Sequence, residues 1–256
     1  MRRQTAWLLL LLLLLTPQAL PAGEHAPAPG QAIDFARLLP PPPAPGSARQ
    51  REDLAAVLDR QRRRTPEMEA LAQADAKRSV LRFAPALGPG FTAENLPLAL
   101  PFFEKLKETA DAMFGDAKEH WNRPRPSQAD PEVKPCLKVP RGASYPSGHA
   151  FFATVTAIAL AEMVPQRREE IFERAREYGE NRVIGGVHYP SDIAAGRIAG
   201  TVVAAALLED GDFVRELDAA GDEVRRALGL GPRDWPGPGV AAPGPATHGR
   251  QSRGVN

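Results

Sequence analysis

The sequence predicts an all-α protein whose single domain is a helical bundle. No segment shows the two-residue alternation of a half-buried β-strand, and the sequence contains no internal repeat. Residues 146–163 are apolar on almost every side, which is typical of a helix buried in a core, and residues 191–208 are rich in small residues that allow close helix packing. Charged amphipathic segments lie before and after them. These observations predict helices packed on helices around one core, over residues 48–230.

The two ends of the chain differ in composition from its middle. Residues 1–22 are predicted to be a signal peptide that is cleaved after Ala22, because two arginines precede an apolar run containing Leu8 to Leu15. That run is too short to cross a bilayer of about 30 Å as a helix. Residues 23–47 are rich in proline and are predicted to be extended. Residues 231–256 are rich in proline and glycine and are predicted to form a disordered tail.

Capping residues and apolar spacing predict three helices in the first half of the domain. Ser47 is a suitable N-cap for a helix that runs to about Arg63. The pair Thr65-Pro66 provides a cap and an N1 proline for a second helix, which we expect to run to about Phe83. A third helix is expected from about Pro101 through Trp121, and it ends before Pro124.

The second half of the domain is predicted to contain four further helices. A polar loop precedes them. Their expected ranges are 146–163, 166–180, 191–208 and 213–228. The third of these is also apolar enough to be considered as a membrane span, but Asp192 and Arg197 interrupt it, so a core helix is the preferred interpretation.

Charge and cysteine content exclude several classes of function. The net charge is +1, and the chain without Arg2 and Arg3 has 30 basic and 31 acidic residues. A nucleic-acid or polyanion binder would show a basic excess, so no nucleic-acid partner is expected. Cys136 is the only cysteine, which excludes an intrachain disulfide and a cysteine-based zinc site.

Residues 181–192 contain the first candidate site. Gly185, Gly186 and Pro190 interrupt regular structure, so we expect His188 to lie in a tight connection. Asp192 follows four residues later and can reach one ring nitrogen, which leaves the other free as a nucleophile or base. Arg182 offers a planar fork suited to phosphate or carboxylate. The plainer alternative is a loop histidine with a local aspartate contact.

Two other segments offer chemistry that matches this one. Ser147, Gly148 and His149 lie at the predicted start of a buried helix, where backbone amides and the helix dipole favour an anion. Lys118 and Arg125 are cations near the end of the third helix. Phosphoryl transfer to a side chain needs cations for the phosphate oxygens, an in-line nucleophile and an acid for the leaving oxygen.

The three segments, in this order, resemble the signature of the PAP2 (phosphatidic acid phosphatase type 2) superfamily. Its motifs are Lys-x6-Arg-Pro, Pro-Ser-Gly-His and Ser-Arg-x5-His-x3-Asp, and here they begin at Lys118, Pro146 and Asn181. The six-residue gap selects Arg125 and leaves Arg123 in a supporting position. Asn181 stands where the family pattern has serine. Within the superfamily the chain is most similar to bacterial class A non-specific acid phosphatases, which also carry a signal peptide and a Leu-Pro-Pro-Pro-Pro segment (39–43).

The resemblance implies a fold of the PAP2/haloperoxidase type and a set of roles. His188 would attack phosphorus, Asp192 would orient it, and His149 would protonate the leaving alcohol. The residues implied to bind phosphate are Lys118, Arg125, Ser147, Gly148 and Arg182. The resemblance implies no metal ion or other cofactor. It also implies a periplasmic or secreted enzyme for small phosphate monoesters, with no integral membrane segment in the mature chain, and it leaves a homodimer or larger homo-oligomer open.

Two alternatives use the same residues. The first is another enzyme with this site, acting on a lipid phosphate or lipid pyrophosphate, or serving as a vanadate-dependent haloperoxidase. Lipid-specific members usually carry several membrane spans, and the sequence shows no convincing one. The second is an inactive phosphate-binding or scaffold protein, which the complete set of acid, nucleophile and cations disfavours.

Overall fold

The computed structural model describes residues 33–232, and the regular structure in this range is entirely helical. This confirms the predicted all-α class. The predicted signal peptide, the start of the proline-rich segment and nearly all of the predicted tail lie outside the described residues. The α-helices in this range are α1 Phe35–Leu38, α2 Ala48–Arg63, α3 Pro66–Ala74, α4 Ala84–Leu87, α5 Ala99–Phe114, α6 Ala117–Trp121, α7 Pro126–Ala129, α8 Gly148–Met163, α9 Arg168–Ile184, α10 Pro190–Leu208 and α11 Gly211–Ala227, with short 3₁₀ helices at Val80–Phe83 and Pro165–Arg167.

The centre of the fold is α8, which packs against α9, α10 and α11. Because neighbours cover it on several sides, most of its side chains are buried, which explains its apolar composition. Small residues let α10 approach closely: a Cβ at Gly196 would lie 2.4 Å from the Ser147 carbonyl oxygen. This approach brings the N-terminus of α8 next to the N-terminus of α10.

Helix α10 satisfies a length and composition test for crossing a membrane, and it is the one helix between residues 33 and 232 that does so. Half of this apolar stretch of α10 is buried inside the fold. Its first turn contains Asp192, which is fully buried and hydrogen-bonded. The buried half of α10 therefore packs against the other helices of the core.

The predicted helix starts are largely correct because local side chains cap them. The Ser47 hydroxyl accepts a hydrogen bond from the Gln50 amide at 3.1 Å. The Thr65 hydroxyl accepts one from the Met68 amide at 3.3 Å, with Pro66 in the first turn. At α8 the Ser147 hydroxyl accepts from the Ala150 amide at 3.3 Å. Each contact satisfies an amide that has no partner within the helix.

Three predicted helix lengths are wrong. The second helix ends at Ala74 instead of Phe83. The reason is that the buried carboxylate of the next residue, Asp75, accepts hydrogen bonds from three side chains outside the helix. The third helix is interrupted at Gly115, whose φ of 52° lies in the left-handed region that glycine favours. The charged helix was predicted to end at residue 180 but continues to Ile184. Arg182 is therefore in its last turn.

Candidate active site

His188 lies in the short connection between α9 and α10, as the glycines and the proline predicted. Gly186, with a φ of 73°, turns the chain after α9. The His188 Nδ1 atom is 3.1 Å from Asp192 Oδ2, and 2% of the histidine is exposed. Because an ionised carboxylate only accepts hydrogen bonds, this contact places the imidazole proton on Nδ1. The Nε2 atom therefore keeps its lone pair.

Asp192 is the centre of a buried hydrogen-bond network. Its Oδ2 accepts hydrogen bonds from the Ser144 hydroxyl and from the Tyr189 amide, the latter at 2.9 Å. Its Oδ1 accepts from Arg123 Nη1 at 2.6 Å. Burial opposes ionisation of this carboxyl, but the contacts with His188 and Arg123 outweigh it and lower its pKa. The carboxylate is therefore fixed in place and charged.

Arg123 occupies the supporting position behind Asp192 that the sequence assigned to it. Its Nη2 donates to Asp53 Oδ2 at 2.8 Å, and its guanidinium stacks on the Tyr189 ring at 3.9 Å. Arg123 thus links the α2 carboxylate of Asp53 to the carboxylate that holds His188. Asp53 was not identified from the sequence, since it lies 139 positions from Asp192 and belongs to no motif.

Arg125 and Lys118 approach the other side of His188. Arg125 Nη1 lies 3.3 Å from His188 Nε2, and the same atom donates to the Val187 carbonyl at 2.8 Å. Lys118 Nζ donates to the Pro146 carbonyl at 2.6 Å and to the Ala143 carbonyl at 3.1 Å. Both cations are thus held by backbone oxygens, and neither forms an ion pair in the described part of the chain.

Ser147, Gly148 and His149 form the start of α8 next to these cations. The Ser147 amide donates to the Asp192 carbonyl at 3.0 Å, which ties the start of α8 to the first turn of α10. A Cβ at Gly148 would find only Lys118 Cε within reach, at 4.0 Å, so the glycine leaves open space beside the lysine. His149 Nε2 lies 3.0 Å from the Ala76 carbonyl oxygen.

Among residues 33–232, Arg182 has two buried polar atoms without partners, whereas Arg123 has one, its Nε atom. Arg182 is 2% exposed, and its Nε and Nη1 atoms are buried without a hydrogen bond in the part of the chain that the structure describes. An unpaired buried guanidinium donor is costly, so such a group indicates a missing acceptor. Burial, with a smaller effect from the charge of Arg125, lowers the pKa of Arg182 to about 10.

Burial and the crowded cations set the protonation states. Burial, with smaller effects from Lys118 and Arg125, lowers the pKa of His188 to about 4 despite its hydrogen bond to Asp192. Burial, followed by Arg182, lowers the pKa of His149 to about 2. Burial, followed by Arg125, lowers the pKa of Lys118 to about 8. At mildly acidic pH the unliganded site therefore holds two neutral imidazoles and three cationic side chains.

The structure brings all eight sequence-predicted residues into one neighbourhood. His188, Asp192 and Arg125 are linked by direct contacts, Lys118 touches the Pro146–Gly148 segment, and His149 and Arg182 influence each other electrostatically. Asn181 points elsewhere and donates to Asp75 Oδ2 at 2.8 Å. No group of three or more His, Cys, Asp or Glu side chains able to share a metal ion occurs among residues 33–232.

A cavity of about 530 Å³ lies beside this neighbourhood. It is lined by Pro42, Pro43, Leu54, Trp121 and Tyr189, together with polar groups that include Arg123. His149 and His188 do not line it.

Comparison with known proteins assigns this arrangement to a family. A family model described as the PAP2 superfamily matches residues 109–213, a range that holds all eight predicted site residues. An acid phosphatase of Zymomonas mobilis subsp. mobilis is 33% identical over 198 residues, which are 74% of this chain and 75% of that protein. A non-specific acid phosphatase of Providencia stuartii is 33% identical over 205 residues, which are 77% and 83% of the two chains.

Among solved structures, the chain is similar to a transmembrane PAP2 type phosphatidylglycerolphosphate phosphatase from Bacillus subtilis. The sequence identity is 20%, the TM-score is 0.46, and the match covers 63% of this chain and 85% of that one. From its identity to the curated relatives, the chain belongs to the PAP2 superfamily. Those relatives are bacterial acid phosphatases, which confirms the resemblance inferred from the three motifs.

Proposed function

We propose that the protein is a periplasmic or secreted acid phosphatase that hydrolyses small phosphate monoesters through a phosphohistidine on His188. The observation that carries this proposal is the pairing of two features of the candidate site. His188 Nε2 is free of protons and is oriented by a buried carboxylate, and the neighbouring Arg182 guanidinium has two unpartnered polar atoms. A phosphate dianion supplies the acceptors that Arg182 lacks and the phosphorus that Nε2 can attack.

The first step would transfer the phosphoryl group to His188. Nε2 forms a bond to phosphorus while the ester bond to the leaving oxygen breaks, and Lys118, Arg125 and Arg182 neutralise the phosphate oxygens. The backbone amide of Gly148 and the helix dipole of α8 would assist them. His149 gives a proton to the leaving oxygen, so the alcohol departs neutral. Asp192 stabilises the ring while it carries the phosphoryl group.

The second step would return the enzyme to its starting state. Neutral His149 takes a proton from a water molecule, the water oxygen attacks phosphorus, and the bond to Nε2 breaks. The water proton stays on His149 while phosphate is bound, and it leaves the ring when inorganic phosphate departs. The cations act in both steps, so the mechanism that we propose requires no metal ion.

The protonation states support an acidic optimum. The His188 pKa of about 4 keeps the nucleophile neutral above that pH. Because the His149 pKa lies near 2 without ligand, its proton must be retained by a bound phosphate or enter with the substrate. The dianion of a phosphate monoester gains its first proton near pH 6. Activity should therefore be bell-shaped and should decline on the alkaline side of about pH 6.

Hydrolysis of p-nitrophenyl phosphate by the purified chain in excess EDTA tests the proposal. We expect turnover in EDTA, with an acid-labile phosphoenzyme that can be trapped during turnover. A panel with phosphatidic acid in mixed micelles, and with bromide plus vanadate, separates the two alternatives that use the same site. Absence of monoester hydrolysis, or preference for the lipid, would overturn the assignment.

A further inference from the structure

A buried carboxylate outside the three motifs holds the chain segment that contacts His149. Asp75 follows α3 directly and is fully buried. Its Oδ1 accepts from Arg82 Nε at 2.7 Å and from Arg174 Nη2 at 2.5 Å, and its Oδ2 accepts from Asn181 Nδ2 at 2.8 Å. Two of the donors belong to α9, which also carries Arg182.

The residues after Asp75 are fastened to the same helix. The next residue, Ala76, offers its carbonyl oxygen to His149 Nε2 at 3.0 Å. The Lys77 carbonyl accepts from the Tyr178 hydroxyl at 2.7 Å, and the Tyr178 ring stacks on the His149 ring with centroids 6.3 Å apart. Arg174 Nε donates to the Arg82 carbonyl at 2.9 Å, which closes the far end of the segment.

The contact with Ala76 selects one form of His149. A carbonyl oxygen only accepts, so Nε2 must carry the proton and Nδ1 is the nitrogen available to a substrate. Nothing on α8 itself makes this selection, because the contact comes from the segment that follows α3. We propose that Asp75 is a positioning residue for His149: its hydrogen bonds fix the Ala76 carbonyl so that Nδ1 delivers the proton to the leaving oxygen.

The expected effect of Asp75 on catalysis rests on the proposed function, whereas its effect on the tautomer of His149 does not. Burial lowers the pKa of His149 most, and Arg182 from α9, His188 from the α9–α10 connection and Arg78 from the segment after α3 lower it further. The hydrogen bond to Ala76 acts in the opposite direction and raises that pKa. Loss of a fixed Ala76 carbonyl should therefore favour the neutral ring and mix its two tautomers.

Histidine ¹⁵N NMR of the ligand-free protein tests the structural consequence without any assay of activity. The chain has only five histidines, so the His149 signals can be assigned by their loss in a His149→Gln variant. We expect the proton on Nε2 in the wild type and a mixture of tautomers in Asp75→Asn. Glu223→Gln is the matched control, because Glu223 is also buried and accepts two backbone amides at the start of α5. An unchanged His149 spectrum in folded Asp75→Asn would overturn the proposal.

Steady-state kinetics test the catalytic consequence. Because the acid would be misplaced, Asp75→Asn should lower kcat for an alkyl phosphate by about 10- to 100-fold. Its KM should stay within about 3-fold of the wild-type value. The alkaline limb of its kcat profile should lie at lower pH than in the wild type. Equal losses in Asp75→Asn and Glu223→Gln, with unmoved pH profiles, would indicate a merely structural role. If Asp75→Asn does not fold, Asn181→Ala removes one donor and should show the same changes at smaller size. An inactive wild type would contradict the proposed function, while the NMR comparison would still decide the role of Asp75.

Discussion

The two histidines of the site are held by different kinds of partner. The Nδ1 atom of His188 faces an ionised carboxylate, Asp192, which is itself fixed by Arg123 and Ser144. The Nε2 atom of His149 faces the neutral backbone carbonyl of Ala76. His188 is 2% exposed, whereas His149 is only partly buried.

This difference matches what each ring has to do in the proposed mechanism. A ring that bonds to phosphorus becomes cationic and must stay in line, so a buried carboxylate stabilises it and restricts its rotation. A ring that must release its proton is better served by a neutral partner, because a carboxylate would strengthen its hold on the proton. The two partners therefore suit a nucleophile and an acid, and each of the following predictions alters one side.

The largest expected effect follows from His188→Ala. Removal of the attacking nitrogen should lower kcat for p-nitrophenyl phosphate by about 10⁴-fold or more, because the nucleophile and its supports act as a unit. The three cations remain, so we expect inorganic phosphate to bind with little change by isothermal titration calorimetry. Turnover near the wild-type rate would show that another residue is the nucleophile.

His149→Ala should show a smaller effect that depends on the leaving group. Loss of a general acid typically costs about 10²- to 10⁴-fold, but nitrophenolate leaves without a proton. We therefore expect a pre-steady-state burst of one nitrophenol per site, followed by slow hydrolysis of the phosphoenzyme. An alkyl phosphate should give no burst. Equal rates of phosphoenzyme formation from both substrates would contradict the acid role of His149.

Asp53→Asn should weaken the hydrogen-bond network that supports His188 and leave the contacts of His149 unchanged. Asp53 lies outside the site, and its carboxylate holds Arg123, which in turn holds Asp192. We expect a loss of about 3 kcal/mol in the free energy of unfolding, from chemical denaturation, because one partner of a buried ion pair is removed. Phosphoenzyme formation should slow by about 10-fold, while the His149 ¹⁵N signals stay unchanged. A shift of those signals would show that the two sides are coupled.

Protonation of the two imidazoles should make the stability of the protein depend on pH. Both histidine pKa values lie below the ordinary 6.5, so the unfolded chain binds more protons than the folded one as the pH falls through about 6.5. Stability should therefore decrease from pH 6.5 toward pH 4, by roughly 2–3 kcal/mol for each histidine at most. Thermal unfolding at pH 4.5 and pH 7 measures this, and His188→Gln should reduce the difference. If the stability of His188→Gln instead increased from pH 7 to pH 4.5, the lowered pKa values of the histidines would be contradicted.

Bound phosphate should reverse this acid loss. A phosphate anion next to His149 favours its protonated form, so binding of inorganic phosphate raises the proton affinity of the folded state. We expect phosphate to raise Tm more at pH 4.5 than at pH 7 in the wild type. His149→Gln provides the control, since it retains the cations and lacks the second imidazole.

Local sequence signals predicted much of the fold and most of the site. Ser47, Thr65 and Ser147 cap helices through contacts three residues away, so their effect is readable in the chain itself. The His188 and Asp192 contact spans one helical turn and was also predictable. The end of α3 was not, because Asp75 leaves the helix in favour of partners up to 106 positions away.

The sequence by itself determined the helical class, the helix starts and the two imidazoles with their cations, because periodicity, caps and motif spacing act over a few residues. Tertiary structure alone decided which nitrogen of His149 is free and what holds Asp192 behind His188. Asp53 reaches Asp192 through Arg123, and the Ala76 carbonyl reaches His149, only after helices distant in sequence have packed together. Protonation depends on burial and on charges that converge from separate segments, and neither is encoded in local spacing.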